Sequence, residues 1–190
     1  MYMMKTLIIN GSPRKNGDTM TLVNEMTKYL DGDIKIVHTY SDNISPCIDC
    51  RFCWRNNGCS INDGMQDIYR ALDEVDNVIL ASPLHFSELT GKLLSFASRL
   101  QYFYVLRSIR KELKFKLKKK NSILIITGGG DGKPDPAISR ANIIFRQTNA
   151  ELIGTIMSLH TNDIPAKQDA EALSKAKEFA IKLNGLHKMS

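Results

Sequence analysis

Apolar positions along the chain follow two alternating rhythms. Lys5-Thr-Leu-Ile-Ile-Asn10 is a short β-branched run, which predicts a strand buried on both faces. Asp18–Leu30 sets Met20, Val23, Met26 or Thr27, and Leu30 on one face, the spacing of an amphipathic helix. Asp33–Thr39 alternates as a second strand. Met65–Val75 aligns Ile68, Ala71, Leu72 and Val75 as a helix, and Asn77–Ser82 is a third apolar strand. Gly91–Tyr104 is predicted as one helix, with Leu93, Phe96, Ala97, Leu100 and Tyr104 on its stripe. Ser122–Thr127 and Glu151–Leu159 read as the fourth and fifth strands. Helices over Ala137–Asn149 (Ile138, Ala141 and Phe145 inward) and Asp169–Leu183 (Leu173, Ala176, Ala180 and Leu183 inward) complete the set. Asn43–Asn62, rich in Asn with Pro and Gly, is loop.

Strands alternating with helices imply right-handed crossovers and a parallel sheet covered on both faces. The expected fold class is therefore α/β: a three-layer sandwich with a five-stranded parallel sheet in the order 2-1-3-4-5. The 190 residues suit a single domain over 1–190, with a cysteine-rich loop at 44–62. No repeat or interdomain linker interrupts it.

Composition narrows the function classes. Apolar residues at 43% and charged residues at 24% fit a globule with a core and exclude a disordered chain. Apolar runs such as Asn77–Ala81 fall far short of a membrane span, and Met1–Asn10 has no secretory h-region. A cytoplasmic protein without a membrane partner is the expectation. Lys111–Lys120 holds six lysines against one glutamate, so nearly all of the net charge of +6 sits in one strip. Such a strip reads first as a solvated helix end or loop, and nucleic acid is not expected as a partner.

In an open parallel sheet, ligands bind beyond the carboxyl ends of the strands, where the winding reverses. Three loops lie there. Gly11-Ser-Pro-Arg-Lys-Asn-Gly-Asp-Thr19 joins a strand to a helix N-terminus, where backbone N–H groups and the helix dipole suit an anion. Ser12, Asn16 and Thr19 can donate hydrogen bonds, and Arg14 can pair with an anion through both guanidinium arms. The loop lacks both the Gly-Lys-Ser/Thr ending of a Walker loop and the Gly-x-Gly-x-x-Gly pattern. Ser82-Pro-Leu-His-Phe86 offers apolar and aromatic walls for a flat ligand. Thr127-Gly-Gly-Gly-Asp-Gly-Lys-Pro134 carries four glycines, which permit close backbone approach to a planar ring. Each also has a bland reading: a capped turn, core residues at a strand end, and a flexible connection.

All the cysteines, Cys47, Cys50, Cys53 and Cys59, fall within one loop, spaced C-x2-C-x2-C-x5-C. Disulfide staples of secreted proteins join distant segments, so this pattern points to metal, cluster or redox chemistry. A four-cysteine iron–sulfur cluster leads on spacing. An empty or disulfide-linked loop and a zinc site are the alternatives. Arg51 and Arg55 can offset thiolate charge, while Phe52 and Trp54 can shield it. His38 and His160 read as partly exposed residues at strand ends, His187 as part of a terminal tail, and Tyr102–Tyr104 as helix packing or subunit contact. Spacing supports no Ser–His–Asp set and no paired carboxylates.

Together, the Gly11–Thr19 loop, the Ser82–Phe86 turn and the cysteine quartet resemble the iron–sulfur flavoprotein group of the flavodoxin-like NAD(P)H-dependent FMN reductase family. The resemblance covers about residues 4–184. It implies non-covalently bound FMN, with the phosphate on Ser12, Arg14, Asn16, Gly17 and Thr19. The isoalloxazine would rest against Pro83, Leu84, His85 and Phe86, with Thr127, Gly128 and Gly129 at its edge. It further implies that Cys47, Cys50, Cys53 and Cys59 ligate a 4Fe-4S cluster, and that the protein forms a homodimer or homotetramer. Electrons would pass from NADH or NADPH, or another small-molecule or protein donor, through FMN to an acceptor. No side chain is implied as a catalytic acid or base. The rival is an electron carrier with no small-molecule substrate of its own. Leu84 and His85 replace the Val-Tyr usual in the group, and Asp18 stands where a neutral residue is common. A carboxylate there is repelled by a phosphate, so Asp18 is expected to turn away as a helix cap.

Overall fold

The computed structural model describes residues 3–112 and 116–188. Lys5–Asn10 forms β1, Asp18–Thr27 α1 and Asp33–His38 β2. Met65–Glu74 forms α2, Asn77–Pro83 β3, Gly91–Ser98 α3 and Gln101–Tyr104 α4. Lys120–Gly128 forms β4, Asp135–Gln147 α5, Ala150–Leu159 β5 and Ala170–Lys188 α6. The strands pair in parallel in the order β2-β1-β3-β4-β5, as expected. Residue Ile8 of β1 lies opposite Ile36 of β2 on one side and Ile79 of β3 on the other. The winding therefore reverses between β1 and β3, and the crevice there opens past Asn10 and Pro83.

Alternation along each central strand builds the two outer layers. Leu7, Ile9, Val78, Leu80, Leu124 and Ile126 pack with α2, α3, α4 and α5 through Leu72, Phe96, Phe103 and Phe145. Their neighbours Ile8, Ile79, Ala81, Ile123 and Ile125 face α1 and α6 through Leu22, Val23, Met26, Ala176 and Leu183. The period-two pleat thus feeds two cores from one apolar run. Gly32, at φ +87°, lets β2 start against β1. A Cβ there would lie 2.1 Å from the Met4 carbonyl oxygen. Among the described residues, no helix is long and apolar enough to cross a membrane.

Three expectations need correction. The helix after β3 is not continuous to Tyr104. The Arg99 and Leu100 amides bond three residues back, to Phe96 and Ala97, which tightens the turn between α3 and α4. A wide π turn over Val105–Ile109 then extends the segment. The stripe accordingly slips: Leu93, Phe96 and Leu100 are buried, but Tyr104 is exposed. His187 is no tail residue. It sits in the last turn of α6, 3.9 Å from Asp76. The lysine strip is exposed loop at Lys111, Lys116, Lys118 and Lys119, as expected, but its last residue, Lys120, is buried at the start of β4. Leu113–Phe115 lie outside the described residues.

Candidate active site

The first loop is shaped from below by Asn10. This residue is fully buried at the end of β1. Its Oδ1 accepts the Ser12 N–H at 2.9 Å, which fixes the amide orientation, and its Nδ2 donates to His38 Nδ1 at 3.0 Å. Ser12 Oγ in turn accepts the Arg14 N–H at 3.2 Å. The chain enters α1 through Gly17, which has no side chain to place on the helix amides. The first-turn N–H groups of α1 have no partner inside the helix, so they face the loop. A Cβ on Gly17 would stand 2.9 Å from Arg14 Cβ, so the missing side chain is what lets the loop close.

Asp18 does turn away, though not as the cap of α1. Its Oδ1 accepts the Ala166 N–H at 3.0 Å, at the start of a short 3-10 turn, and its Oδ2 lies 3.4 Å from Arg14 Nη2. Arg14 remains 69% exposed. Lys15 and Asn16 are also exposed.

The second and third loops are knitted to the first. Ser82 Oγ accepts the Thr90 N–H at 3.1 Å, and Thr90 Oγ1 donates to the Gly11 carbonyl at 2.7 Å. Leu84 N–H bonds the Thr127 carbonyl at 2.8 Å, and Thr19 Oγ1 meets Thr127 Oγ1 at 2.7 Å. Asn10, Ser12, Thr19, Ser82, Thr90 and Thr127 are all buried, which makes a polar floor at this edge. In the Thr19–Thr127 pair one hydroxyl donates to the other, so one proton is left for a third acceptor.

Beyond Leu84 the chain makes a tight hairpin. His85 and Glu88 exchange backbone hydrogen bonds across Phe86 and Ser87, whose φ angles are 53° and 63°. Two successive non-glycine residues in the left-handed region mark stored strain, a common companion of ligand sites. Phe86 projects fully into solvent, His85 is exposed, and Pro83 and Leu84 are half-buried. Gly128 packs where a Cβ would meet Leu84 at 3.3 Å and Leu159 at 3.2 Å. At Gly129 a Cβ would meet Asn162 Oδ1 at 2.6 Å. The predicted wall residues and ring-edge glycines therefore stand next to the anion loop at one edge of the sheet. Other clefts, such as one of about 510 Å³ bounded by Tyr104, Arg140 and Ile143, lie on the helix face instead.

The cysteine loop leaves β2 and returns at α2. Its four thiols are free. Cys47 and Cys50 are exposed, while Cys53 and Cys59 are half-buried. Burial raises the Cys53 thiol above its ordinary value, with smaller contributions from the charges of Cys59, Cys47 and Cys50. A bond with the Ser60 hydroxyl at 3.1 Å lowers that of Cys50. The donor set suits an iron–sulfur cluster chemically. As placed, no three His, Cys, Asp or Glu side chains among the described residues converge on a metal position. Arg51 stacks over Trp54 at 5.1 Å.

Sequence reasoning missed Asn10, Ser82 and Thr90, whose roles depend on contacts up to 79 residues away. It also missed Arg99. That side chain is fully buried against Asp63, with Nη1–Oδ2 at 2.7 Å and Nη2–Oδ1 at 3.2 Å. Burial pushes the Asp63 carboxyl up. The Arg99 hydrogen bonds, the Ser45 and Met65 amides and the Arg99 charge outweigh it and hold Asp63 below its ordinary value.

Residues 4–161 match the family described as NADPH-dependent FMN reductase. An iron-sulfur flavoprotein of Archaeoglobus fulgidus is 28% identical over 184 residues, covering 95% of this chain and 79% of that protein. A second iron-sulfur flavoprotein, of Methanocaldococcus jannaschii, is 27% identical and covers 91% of this chain and 84% of its own length. The structure of an FMN-dependent NADH-azoreductase from Bacillus anthracis in complex with FMN superposes with a TM-score of 0.65. Its identity is 16%, over 95% of this chain and 99% of that one, a likeness of fold. With the reversal crevice, the three knitted loops and a family match over most of its length, the chain belongs to the NADPH-dependent FMN reductase family and is an FMN-dependent oxidoreductase.

Proposed function

We propose that the three loops hold FMN. The phosphate lies on Ser12, Arg14, Asn16, Gly17 and Thr19. The ring system lies against Pro83, Leu84, His85 and Phe86, with Thr127, Gly128 and Gly129 at its edge. The observation that carries this reading is the buried polar floor joining all three loops, beside which the close packing at Gly17 and Gly129 admits no side chain. When bound, FMN supplies hydride acceptance and single-electron transfer.

The rest is done by the chain. Arg14 neutralises phosphate charge from an exposed position, and the α1 amides donate to its oxygens. The spare proton of the Thr19–Thr127 pair orients a polar edge. Exposed Phe86 and half-buried Leu84 flank the mouth and displace water from it. NADH or NADPH is the small-molecule donor in this reading, and the protein acts as a homodimer or homotetramer in the cytoplasm.

The same proposal assigns Cys47, Cys50, Cys53 and Cys59 as ligands of a 4Fe-4S cluster, supported by their spacing, their free thiols and the iron-sulfur names of the relatives. Reduction of FMN-loaded protein by NADH or NADPH, followed at the flavin absorbance in stopped flow, tests the enzymatic reading. Rapid bleaching supports it, and reduction only by a protein donor contradicts it.

A further inference from the structure

The cysteine loop is held at its neck and along its length by side chains of the globule. At the neck, Arg99 and Asp63 form a forked ion pair that also bonds main chain on both sides of the loop. Arg99 Nη1 donates to the Ser45 carbonyl at 2.9 Å, and Nη2 reaches the Ile61 carbonyl at 3.4 Å. Asp63 accepts the Ser45 N–H at 2.9 Å and the Met65 N–H at 3.0 Å. The stretch of chain entering the loop and the stretch leaving it are thus fastened to one buried pair. Burying such a pair is costly, and a well-packed apolar pair would serve the core as well. What the ion pair adds here is the set of bonds to Ser45 and Ile61.

Further along, three side chains fasten the main chain at Cys47, Cys53 and Cys59. Cys47 N–H donates to Ser98 Oγ at 2.9 Å. Arg110, beyond the π turn, donates from Nη1 to the Cys53 carbonyl at 3.3 Å and the Asn56 carbonyl at 2.8 Å, and from Nη2 to Asn57 Oδ1 at 2.9 Å. Gln66 Nε2 donates to the Cys59 carbonyl at 3.2 Å and the Ile61 carbonyl at 2.7 Å. The tight turn at Arg99 and the wide turn before Arg110 are where the helical segment departs from α geometry. Each departure sits beside an arginine that serves the loop.

We propose that Arg99 and Arg110 are positioning residues of the thiol set, Arg99 latching the neck and Arg110 the tip, so that the loop is organised before any metal arrives. This rests on the cluster assignment above for its purpose, but not for its test. It sets the loop apart from zinc fingers, where folding waits for the metal. Cys47, Cys50, Cys53 and Cys59 would hold the cluster from a loop whose main chain is already tethered at Cys47, Cys53 and Cys59.

Hydrogen–deuterium exchange of iron-free protein, read on peptides covering residues 44–65, tests the latch. Iron content, and the visible absorption after anaerobic reconstitution with ferrous iron and sulfide, give the second readout. In iron-free wild type the Ser45, Cys47 and Met65 amides are expected to exchange at least about tenfold slower than in Arg99→Lys, which keeps the charge but loses the fork. Arg110→Ala, at a half-buried position, tests the idea with the melting temperature of the variant measured alongside to exclude a folding defect. It is expected to speed exchange only over 52–58, to leave FMN affinity within about twofold, and to shift the cluster absorption; a merely structural arginine would leave that spectrum unmoved. Exchange at random-coil rates in iron-free wild type, slowed only by reconstitution, would overturn the latch and keep the cluster. A slow-exchanging loop that takes up no iron would sink the cluster assignment and leave the latch standing. Unchanged exchange and spectrum in both variants would overturn the positioning roles.

Discussion

Thr19, in the first turn of α1, and Thr127, near the end of β4, share a buried 2.7 Å hydrogen bond across 108 residues of sequence. The bond ties the anion loop to the glycine-rich loop and so sets the distance between the two ends of the proposed flavin site. Thr127→Val removes a hydroxyl but keeps the shape. The expected loss is about 1 kcal/mol of stability, or roughly 2–4 °C in melting temperature, with weaker FMN binding. Thr127→Ser, which restores the bond, should recover both. Calorimetry and flavin titration of the pair of variants check this.

Arg14 separates binding from stability. Its side chain is 69% exposed, and its ion pair with Asp18 is a surface contact that adds little to the fold. Arg14→Ala should leave the melting temperature of flavin-free protein unchanged within about 1 °C, while FMN affinity falls by about tenfold or more through loss of a charged hydrogen bond. Equal affinity in the variant would remove Arg14 from the phosphate site.

Lys120 opens β4 at the opposite end of the sheet, is 2% exposed and donates from Nζ to the Lys118 carbonyl. Burial lowers its ammonium to about 8, against smaller opposing effects from Asp73 and Asp76. Between about pH 8 and the ordinary lysine value, the unfolded chain binds the proton that the folded chain has released. Stability attributable to this residue therefore rises with pH across that window, and the burden is fully present below it. Lys120→Met is expected to raise the melting temperature at pH 7 by roughly 2–4 °C, and the gain should shrink above about pH 10. Melting curves on either side of that window decide the matter.

Asp63 titrates in the other direction. Its carboxyl is held below the ordinary value of 3.8, so the stability it contributes is present above that value and is lost as pH falls through the lower folded one. Exchange at the Ser45 and Met65 amides should accelerate below about pH 4 beyond the intrinsic trend in wild type, and Asp63→Asn should abolish that acceleration.

The pattern of Leu7, Ile8 and Ile9, repeated in Val78–Leu80 and Ile123–Ile126, was enough to place three central strands, because each is buried on both faces and carries its own local signal. Alternation and handedness implied a parallel sheet, and the order 2-1-3-4-5 came from the doubly wound arrangement that five such strands suit. The three loops were legible for a related reason: glycine, proline and small polar residues directly after a buried strand mark the ligand-binding end of a parallel sheet. Arg99 was not legible. In sequence it is one cation in an amphipathic helix, and only the long-range return of Asp63 makes it a buried clamp. The break after Ser98 likewise has no proline or glycine to announce it. It coincides with the inward turn of the Arg99 side chain. Asn10 and Thr90 act through bonds to main chain that no periodicity encodes.

Whether the three loops bind flavin is answered by titrating flavin-free protein with FMN while following flavin fluorescence. Saturable quenching at a single site per chain is expected, weakened in Arg14→Ala and unaffected when the cysteines are alkylated. Fluorescence that tracks free FMN at every protein concentration would mean that the crevice holds no flavin.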